Sequence, residues 1–190
     1  MKKLLIFLAG LSALNFNATA QDIYKGKRES WLKIASQTTP KLIETIKKPQ
    51  RIVAVEKDTT AYQGWSVKPK FPIDSLYAGS FKKKSGIVLD FGEHLTGFCT
   101  FTVEDFNRAT DAALRLKFSF AEVPAEAALP FDPYEGQLSR AWLQDEIITI
   151  SEVPKTIIIP RRVAFRYLKI EVLGSSIYSD FRMADLSVLT

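Results

Sequence analysis

Strict alternation between apolar and polar residues is the feature that most restricts the fold of this chain. In LRLKFSF, residues 114–120, every second residue is Leu or Phe, and the residues between them are Arg, Lys and Ser. An extended chain points successive side chains to opposite faces, so this stretch has one apolar and one polar face. FRYLKIEVLG, residues 165–174, has the same period, with Leu168 and Ile170 on one face. The alternation predicts β-strands that bury one face in a core.

Further short apolar stretches are bounded by turn residues. They are RIVAVEK (51–57), GIVLDFG (86–92), GFCTFTV (97–103), EIITIS (146–151), KTIIIP (155–160) and DFRMADLSVL (180–189). Gly92 and Gly97 bracket a predicted turn between the second and third of these stretches. We find no amphipathic stretch suited to the helical crossovers that a parallel sheet requires. The sequence therefore predicts an all-β fold, an antiparallel β-sandwich of jelly-roll type.

The first 20 residues are typical of an export signal. Lys2 and Lys3 precede an apolar run that ends at Leu14, and small residues lead to Ala20. The apolar run is too short to cross a bilayer. We predict a signal peptide over residues 1–20, a mature protein that begins near Gln21, and export to the periplasm or the medium. No cysteine lies near the cleavage point, so we expect no membrane anchor.

Residues 21–50 lack the period of two and are predicted to form an N-terminal extension. ESWLKIASQ, residues 29–37, could form two helical turns. PKLIETIKKP, residues 40–49, is predicted to form a short helix between its two prolines. The β-sandwich domain is expected to cover residues 51–190.

The scarcity of histidine and cysteine in the chain excludes several kinds of site. Cys99 and His94 are the only residues of their types, which leaves no internal disulfide and no Cys/His metal cluster. Cys99 alternates with Phe101 and Val103, which predicts a buried thiol. The formal charge of +5 falls to about +3 without the two N-terminal lysines, too little to indicate nucleic acid. We expect no cofactor, no metal and no nucleic-acid partner.

Catalysis of glycoside hydrolysis usually needs two carboxylates that face each other across a pocket. The available pairs are Asp132 with Glu135, Asp145 with Glu146, and Glu122 with Glu126. Neighbours within a strand point to opposite faces, which argues against the second pair. Turn and surface roles suit the other two pairs better than catalysis does. The sequence therefore predicts no catalytic residue in this chain.

Sugar binding needs an aromatic face for the C–H groups of the ring and planar polar groups for its hydroxyls. The loop from Asp132 to Trp142 has this combination, with Tyr134 or Trp142 as the stacking platform. Arg140, and with it Arg162 from a neighbouring turn, would bond hydroxyls or a uronate carboxylate. These five residues are the predicted carbohydrate-binding site.

The same residues have a structural alternative. Leu143 and Ala141 flank Trp142, which favours a buried ring, and Arg140 would then pair with Asp145 or Glu135 at the surface.

Arg166 shares its strand face with apolar residues. A guanidinium in such a place needs a carboxylate, and Asp90 or Glu146 could supply it. We expect this contact to be structural.

Three long stretches carry a family resemblance. SGIVLDFGEHLTGFCTF (85–101), LRLKFSFAEVPAEAALPFDPYEGQLSRAWLQDEIITI (114–150) and IIIPRRVAFRYLKIEVLGSS (157–176) resemble the N-terminal β-sandwich of exported Bacteroidetes α-L-rhamnosidase-like glycoside hydrolases. FRYLKIEVLG is also similar to the closing strands of galactose-binding-like jelly rolls.

The resemblance implies an accessory role. In such enzymes the catalytic acids belong to an (α/α)₆ barrel that follows the sandwich, so none of them has a counterpart here. The expected function is a non-catalytic module that packs on that barrel. The alternative is a stand-alone carbohydrate-binding module, so the expected partner is a catalytic glycosidase domain or a carbohydrate ligand.

Overall fold

A computed structural model describes residues 24–41, 43–84, 86–137 and 139–190. The chain divides into two compact units, one that ends at Ile43 and one from Glu44 to Thr190. The predicted signal peptide, residues 1–20, lies outside the described residues.

Helix α1 (Lys25–Thr38) forms most of the described part of the first unit, and it confirms the helix predicted over ESWLKIASQ. The second predicted helix, over PKLIETIKKP, is wrong. Strand β1 (Ile46–Lys47) occupies this stretch and pairs antiparallel with the last strand of the sandwich. Backbone hydrogen bonds join Thr45 and Thr190 in both directions, at 2.9 and 3.0 Å. Pairing with a distant strand therefore overrides the local helix propensity.

The second unit is built from short strands joined by turns. Its strands are β1, β2 (Arg51–Lys57), β3 (Trp65–Pro72), β4 (Ile87–Asp105), β5 (Leu114–Ala121), β6 (Gln144–Ile150), β7 (Lys155–Ile158), β8 (Val163–Gly174) and β9 (Phe181–Leu189). Two short helices, α2 (Asp74–Tyr77) and α3 (Pro124–Ala128), lie between strands. Single 3₁₀ turns cover Tyr62–Gly64, Lys82–Lys84 and Arg140–Trp142.

Strand β4 belongs to two sheets. Its first part pairs with β2 and β8, and its second part pairs with β9 and β7. The first sheet has the order β3-β2-β4-β8-β5-β6, and the second has the order β1-β9-β4-β7. Each of these pairings is antiparallel. The predicted all-β antiparallel sandwich is confirmed.

The turn predicted between Gly92 and Gly97 is wrong, because β4 continues through it. Asp90 pairs with Tyr167 of β8 and Leu95 pairs with Phe165, so four residues of β4 lie opposite one residue of β8. Both glycines serve this bulged strand. Gly92 has a φ of 83°, which a side chain disfavours. A Cβ at Gly97 would lie 2.1 Å from the carbonyl oxygen of Leu189.

Seven phenylalanines belong to the buried core of the described residues, together with many Leu, Ile and Val side chains. The rings of Phe101 and Phe118, from β4 and β5, have centroids 4.4 Å apart. Phe165 contacts two more rings, with centroids 5.0 and 5.2 Å away. The apolar face predicted for LRLKFSF is buried as expected. Cys99 is also buried, which confirms its prediction, and burial raises the pKa of its thiol to about 12.

Strand β3 is absent from the sequence predictions. Its sequence, WSVKPKFP, contains two prolines. Proline has no backbone N–H to donate, so it is disfavoured in a strand that pairs on both sides. The strand pairs only with β2 and lies at the edge of its sheet, where proline is tolerated.

Asp90 is the polar centre of the bulge, and its side chain is fully buried. Its carboxylate accepts hydrogen bonds from Arg166 Nε at 3.0 Å, from Arg51 Nε at 3.0 Å and from the N–H of Gly92 at 2.8 Å. The partner predicted for Arg166 is therefore confirmed as Asp90. Burial alone would raise the pKa of Asp90, but the hydrogen bonds from Arg166, Gly92 and Arg51 outweigh it and lower the pKa.

We predict that Asp90→Ala destabilises the domain by roughly 3 kcal/mol. Removing one partner of a buried ion pair usually costs about 3–5 kcal/mol, and both arginines keep some contact with water, which favours the lower end. Urea unfolding, followed by tryptophan fluorescence, measures the loss.

Asp185→Ala is the matched control, because its ion pair with Lys48 is exposed and should contribute about 0–1 kcal/mol. Wild type and Asp90→Ala should differ in free energy of unfolding by a constant amount above the ordinary Asp pKa of 3.8. This difference should shrink as the pH falls through the lowered pKa of Asp90. Equal losses for the two variants would contradict the central role of Asp90.

Candidate functional site

The segment between α3 and β6, residues 129–143, contains most of the predicted binding residues, and we call it the Phe131 loop. Two apolar side chains anchor it to the domain, Phe131 and Leu143, which are both buried. Between these anchors the described residues are half-buried or exposed. The loop is thus fixed near both ends.

Phe131 is surrounded by two cations and one ring. The guanidinium carbon of Arg140 lies 5.0 Å from the ring centroid, and Lys117 Nζ lies 5.3 Å from it. Tyr134 meets the same ring edge to face, with centroids 6.3 Å apart. Cations at this distance from an aromatic face are attracted by its electrons. Arg140 and Tyr134 therefore help to hold the loop.

Arg140 also makes polar contacts inside the domain. Its guanidinium donates to Asp145 Oδ1 at 3.1 Å and to the carbonyl oxygen of Leu143 at 3.2 Å. The surface pair between Arg140 and Asp145, expected under the structural alternative, is confirmed. Lys117 Nζ lies 3.5 Å from the other oxygen of Asp145. Asp145 thus links the loop to strand β5.

Trp142 is 78% exposed, so the alternative that buries its ring is wrong. The 3₁₀ turn Arg140–Trp142 explains the difference. It places Leu143 in the core and directs the preceding tryptophan away from it. Ser139 caps this turn by accepting a hydrogen bond from the N–H of Ala141 at 3.4 Å. An exposed tryptophan is available for contact with a ligand or a partner.

The remaining predicted residues are placed as follows. Asp132 is exposed and Tyr134 is half-buried, both in the Phe131 loop, whereas Arg162 is exposed in the connection from β7 to β8. Its neighbour Arg161 reaches β6 and donates to Glu146. The sugar site over these residues stays a prediction. Sequence reasoning missed Lys117, because its contact with Phe131 joins residues that are distant in the chain.

Three of the candidate acidic residues, Asp145, Glu146 and Glu126, have structural partners. Asp145 and Glu146 are neighbours in β6, and each is paired with its own cations. Glu126 Oε2 accepts the N–H of Glu122 at 2.7 Å, so this carboxylate bonds the backbone just before helix α3. Over the described ranges, no group of three or more Asp, Glu, His or Cys residues is arranged to hold a metal ion. Among the described helices, none is both long and apolar enough to span a membrane.

Comparison with known proteins gives two matches. The family described as "Glycosyl hydrolase family 78 alpha-rhamnosidase N-terminal domain" matches residues 49–190. A solved structure, a rhamnosidase from Klebsiella oxytoca with rhamnose bound, is 30% identical, with a TM-score of 0.74. The match covers 85% of this chain but only 32% of the Klebsiella chain. A search of curated proteins gave no match.

We predict that Trp142→Ala changes the free energy of unfolding by less than about 0.5 kcal/mol, because the ring is exposed. Phe131→Ala should cost about 3–5 kcal/mol, because it removes a buried ring. Thermal and urea unfolding of the two variants provide the comparison. A loss for Trp142→Ala as large as that for Phe131→Ala would contradict the placement of both rings.

Proposed function

The chain belongs to the family of glycosyl hydrolase family 78 α-rhamnosidase N-terminal domains, and from this we propose that it is the non-catalytic accessory β-sandwich of an exported α-L-rhamnosidase-like glycoside hydrolase. The observation that carries the proposal is the match over residues 49–190, which comprise nearly all of the sandwich. Because the chain spans 32% of the Klebsiella rhamnosidase, we assign the catalytic acids to the remainder of such enzymes.

Export is supported by the sequence of residues 1–20. Its two lysines, short apolar run and small residues suit a secretory signal peptide. The place of action would be the periplasm or the medium, where plant or host glycans are available.

Packing on a catalytic domain is supported by the outer face of the second sheet. Ile46, Leu189 and Phe98 lie side by side on β1, β9 and β4, because Leu189 pairs with each of the other two. All three are exposed, as is Ile158 on β7, which pairs with Thr100 of β4. We call these four apolar residues the apolar row.

The surroundings of the apolar row also suit an interface. The next pair along the sheet, Thr100 and Ser187, is uncharged. Depletion of charge around exposed aromatic and aliphatic groups is typical of the centre of a protein interface. The row includes Leu189 of β9, the last strand of the sandwich.

We predict that the purified chain does not hydrolyse 4-nitrophenyl α-L-rhamnoside. Hydrolysis needs two carboxylates across a pocket, and the carboxylates of β6 and α3 are held by cations or by the backbone. Release of nitrophenol is the measurement. Turnover by the chain that a single carboxylate substitution abolishes would show that catalysis resides in this domain.

We further predict that Phe98→Ser combined with Leu189→Ser weakens packing on the catalytic domain. Both side chains are 38% exposed in the isolated domain, so its own thermal transition should fall by less than the transition of the longer polypeptide does. In a polypeptide that also carries the catalytic domain, the same change should lower the transition temperature of that domain. Calorimetry of both forms measures this.

Thr102→Ser, on the same face of β4 but away from the row, is the matched control. If the double variant leaves the longer polypeptide as stable as wild type, the apolar row is not the packing surface.

A second candidate function is carbohydrate binding, and the exposed ring of Trp142 favours it. The site would consist of Asp132, Tyr134, Arg140, Trp142 and Arg162, as the sequence predicts. Trp142 supplies an accessible platform for a sugar ring, although Arg140 is engaged with Asp145 and Phe131.

A further inference from the structure

A separate pocket of about 270 Å³ lies against the outer face of the first sheet. It is beside α3 and the start of the Phe131 loop. Its floor is formed by Lys117 and Ser119 of β5 and by Lys169 and Glu171 of β8. Its wall is the chain from residue 128 to residue 132. Trp142 does not line this pocket.

The floor is a compact group of polar side chains on neighbouring strands. Lys117 lies directly opposite Glu171, and Ser119 lies opposite Lys169, so the four side chains form a square on one face. The floor therefore brings hydrogen-bond donors and acceptors together at two positions of each of the two strands.

The two lysines of the floor make only long ionic contacts with carboxylates. Lys169 Nζ is 3.4 Å from Glu171, and Lys117 Nζ is 3.5 Å from Asp145. Neither contact has the geometry of a hydrogen bond, and Ser119 Oγ has no hydrogen-bond partner in the described part of the chain. Ser119 is nevertheless only 3% exposed. Polar groups sheltered in a pocket and left without hydrogen bonds are ready to bond a ligand.

The wall has the opposite character. Ala128, Leu129, Pro130 and Phe131 supply apolar surface facing the polar floor. The pocket thus has one apolar and one polar side, which is the division that a sugar ring presents through its C–H groups and its hydroxyls.

The charges of the pocket favour a neutral ligand. Two ammonium groups, on Lys117 and Lys169, are accompanied by the carboxylates of Glu126, Asp132 and Glu171. A phosphate or a uronate would meet more negative than positive charge. Hydroxyl groups can donate to the carboxylates and accept from the lysines and the serine.

We propose that this pocket binds one neutral monosaccharide unit. Its volume lies just below the range of about 300–1,000 Å³ for small-molecule sites and so suits a single ring. The proposal rests on the second candidate function, carbohydrate binding, but places it at Lys117, Ser119, Lys169 and Glu171 instead of at Trp142. It is independent of docking through the apolar row, which lies on the other sheet.

The test is calorimetric titration of the whole chain with methyl glycosides of neutral hexoses and deoxyhexoses, with D-galacturonate as the charged comparison. We expect at least one neutral glycoside to bind and galacturonate to bind at least about tenfold more weakly. Lys169→Met should weaken the binding of the neutral glycoside about tenfold, the equivalent of one good hydrogen bond to a charged group. Lys155→Met, an exposed lysine on β7, is the matched control and should bind as wild type does.

A second measurement guards against unfolding of the Lys169 variant. Amide chemical shifts of the wild-type chain should move at residues 117–119 and 169–171 when the glycoside is added. Binding that disappears with Trp142→Ala but survives Lys169→Met would overturn the pocket and leave carbohydrate binding at the Phe131 loop. Absence of binding by every neutral glycoside, or preferential binding of galacturonate, would overturn the proposal and leave the accessory role untouched.

Discussion

The contact of Asp90 with two arginines is the interaction on which the sandwich depends. Asp90 lies in β4 before this strand passes from one sheet to the other. Its carboxylate holds Arg51 of β2, Arg166 of β8 and the backbone of the bulge at Gly92. Three neighbouring strands are therefore fixed at one buried anion. Loss of one partner destabilises such an arrangement, because a buried charge without a counterion is costly.

The sequence predicted the strands whose buried face follows from alternation. It did not predict the bulge, which depends on contacts between residues distant in the chain. Strand β5 is buried on the predicted face because its alternation is unbroken. In β8, by contrast, Phe165 and Leu168 both face the core, so the alternation shifts at Arg166, opposite the bulge. A bulge leaves no local signal except Gly92, and the same glycine suits a turn equally well.

The candidate site was predictable only in the features that depend on local composition. The aromatic and basic composition of the Phe131 loop is visible in the sequence, and so is the pair between Arg140 and Asp145. The exposure of Trp142 depends on a single 3₁₀ turn, whose effect on direction no composition reveals. The floor of the separate pocket comes from alternate polar residues of β5 and β8, which in the sequence are indistinguishable from a solvated strand face.

The close approach at Gly97 has a consequence for variation of the domain. A single methyl group at this position would meet the carbonyl of Leu189, the same residue whose side chain belongs to the apolar row. In a saturation library selected for folding of the domain, position 97 would return glycine alone. The neighbouring exposed position, Phe98, would accept a range of large apolar side chains. The short distance between the two strands at Gly97 thus limits which sequences can form the apolar row.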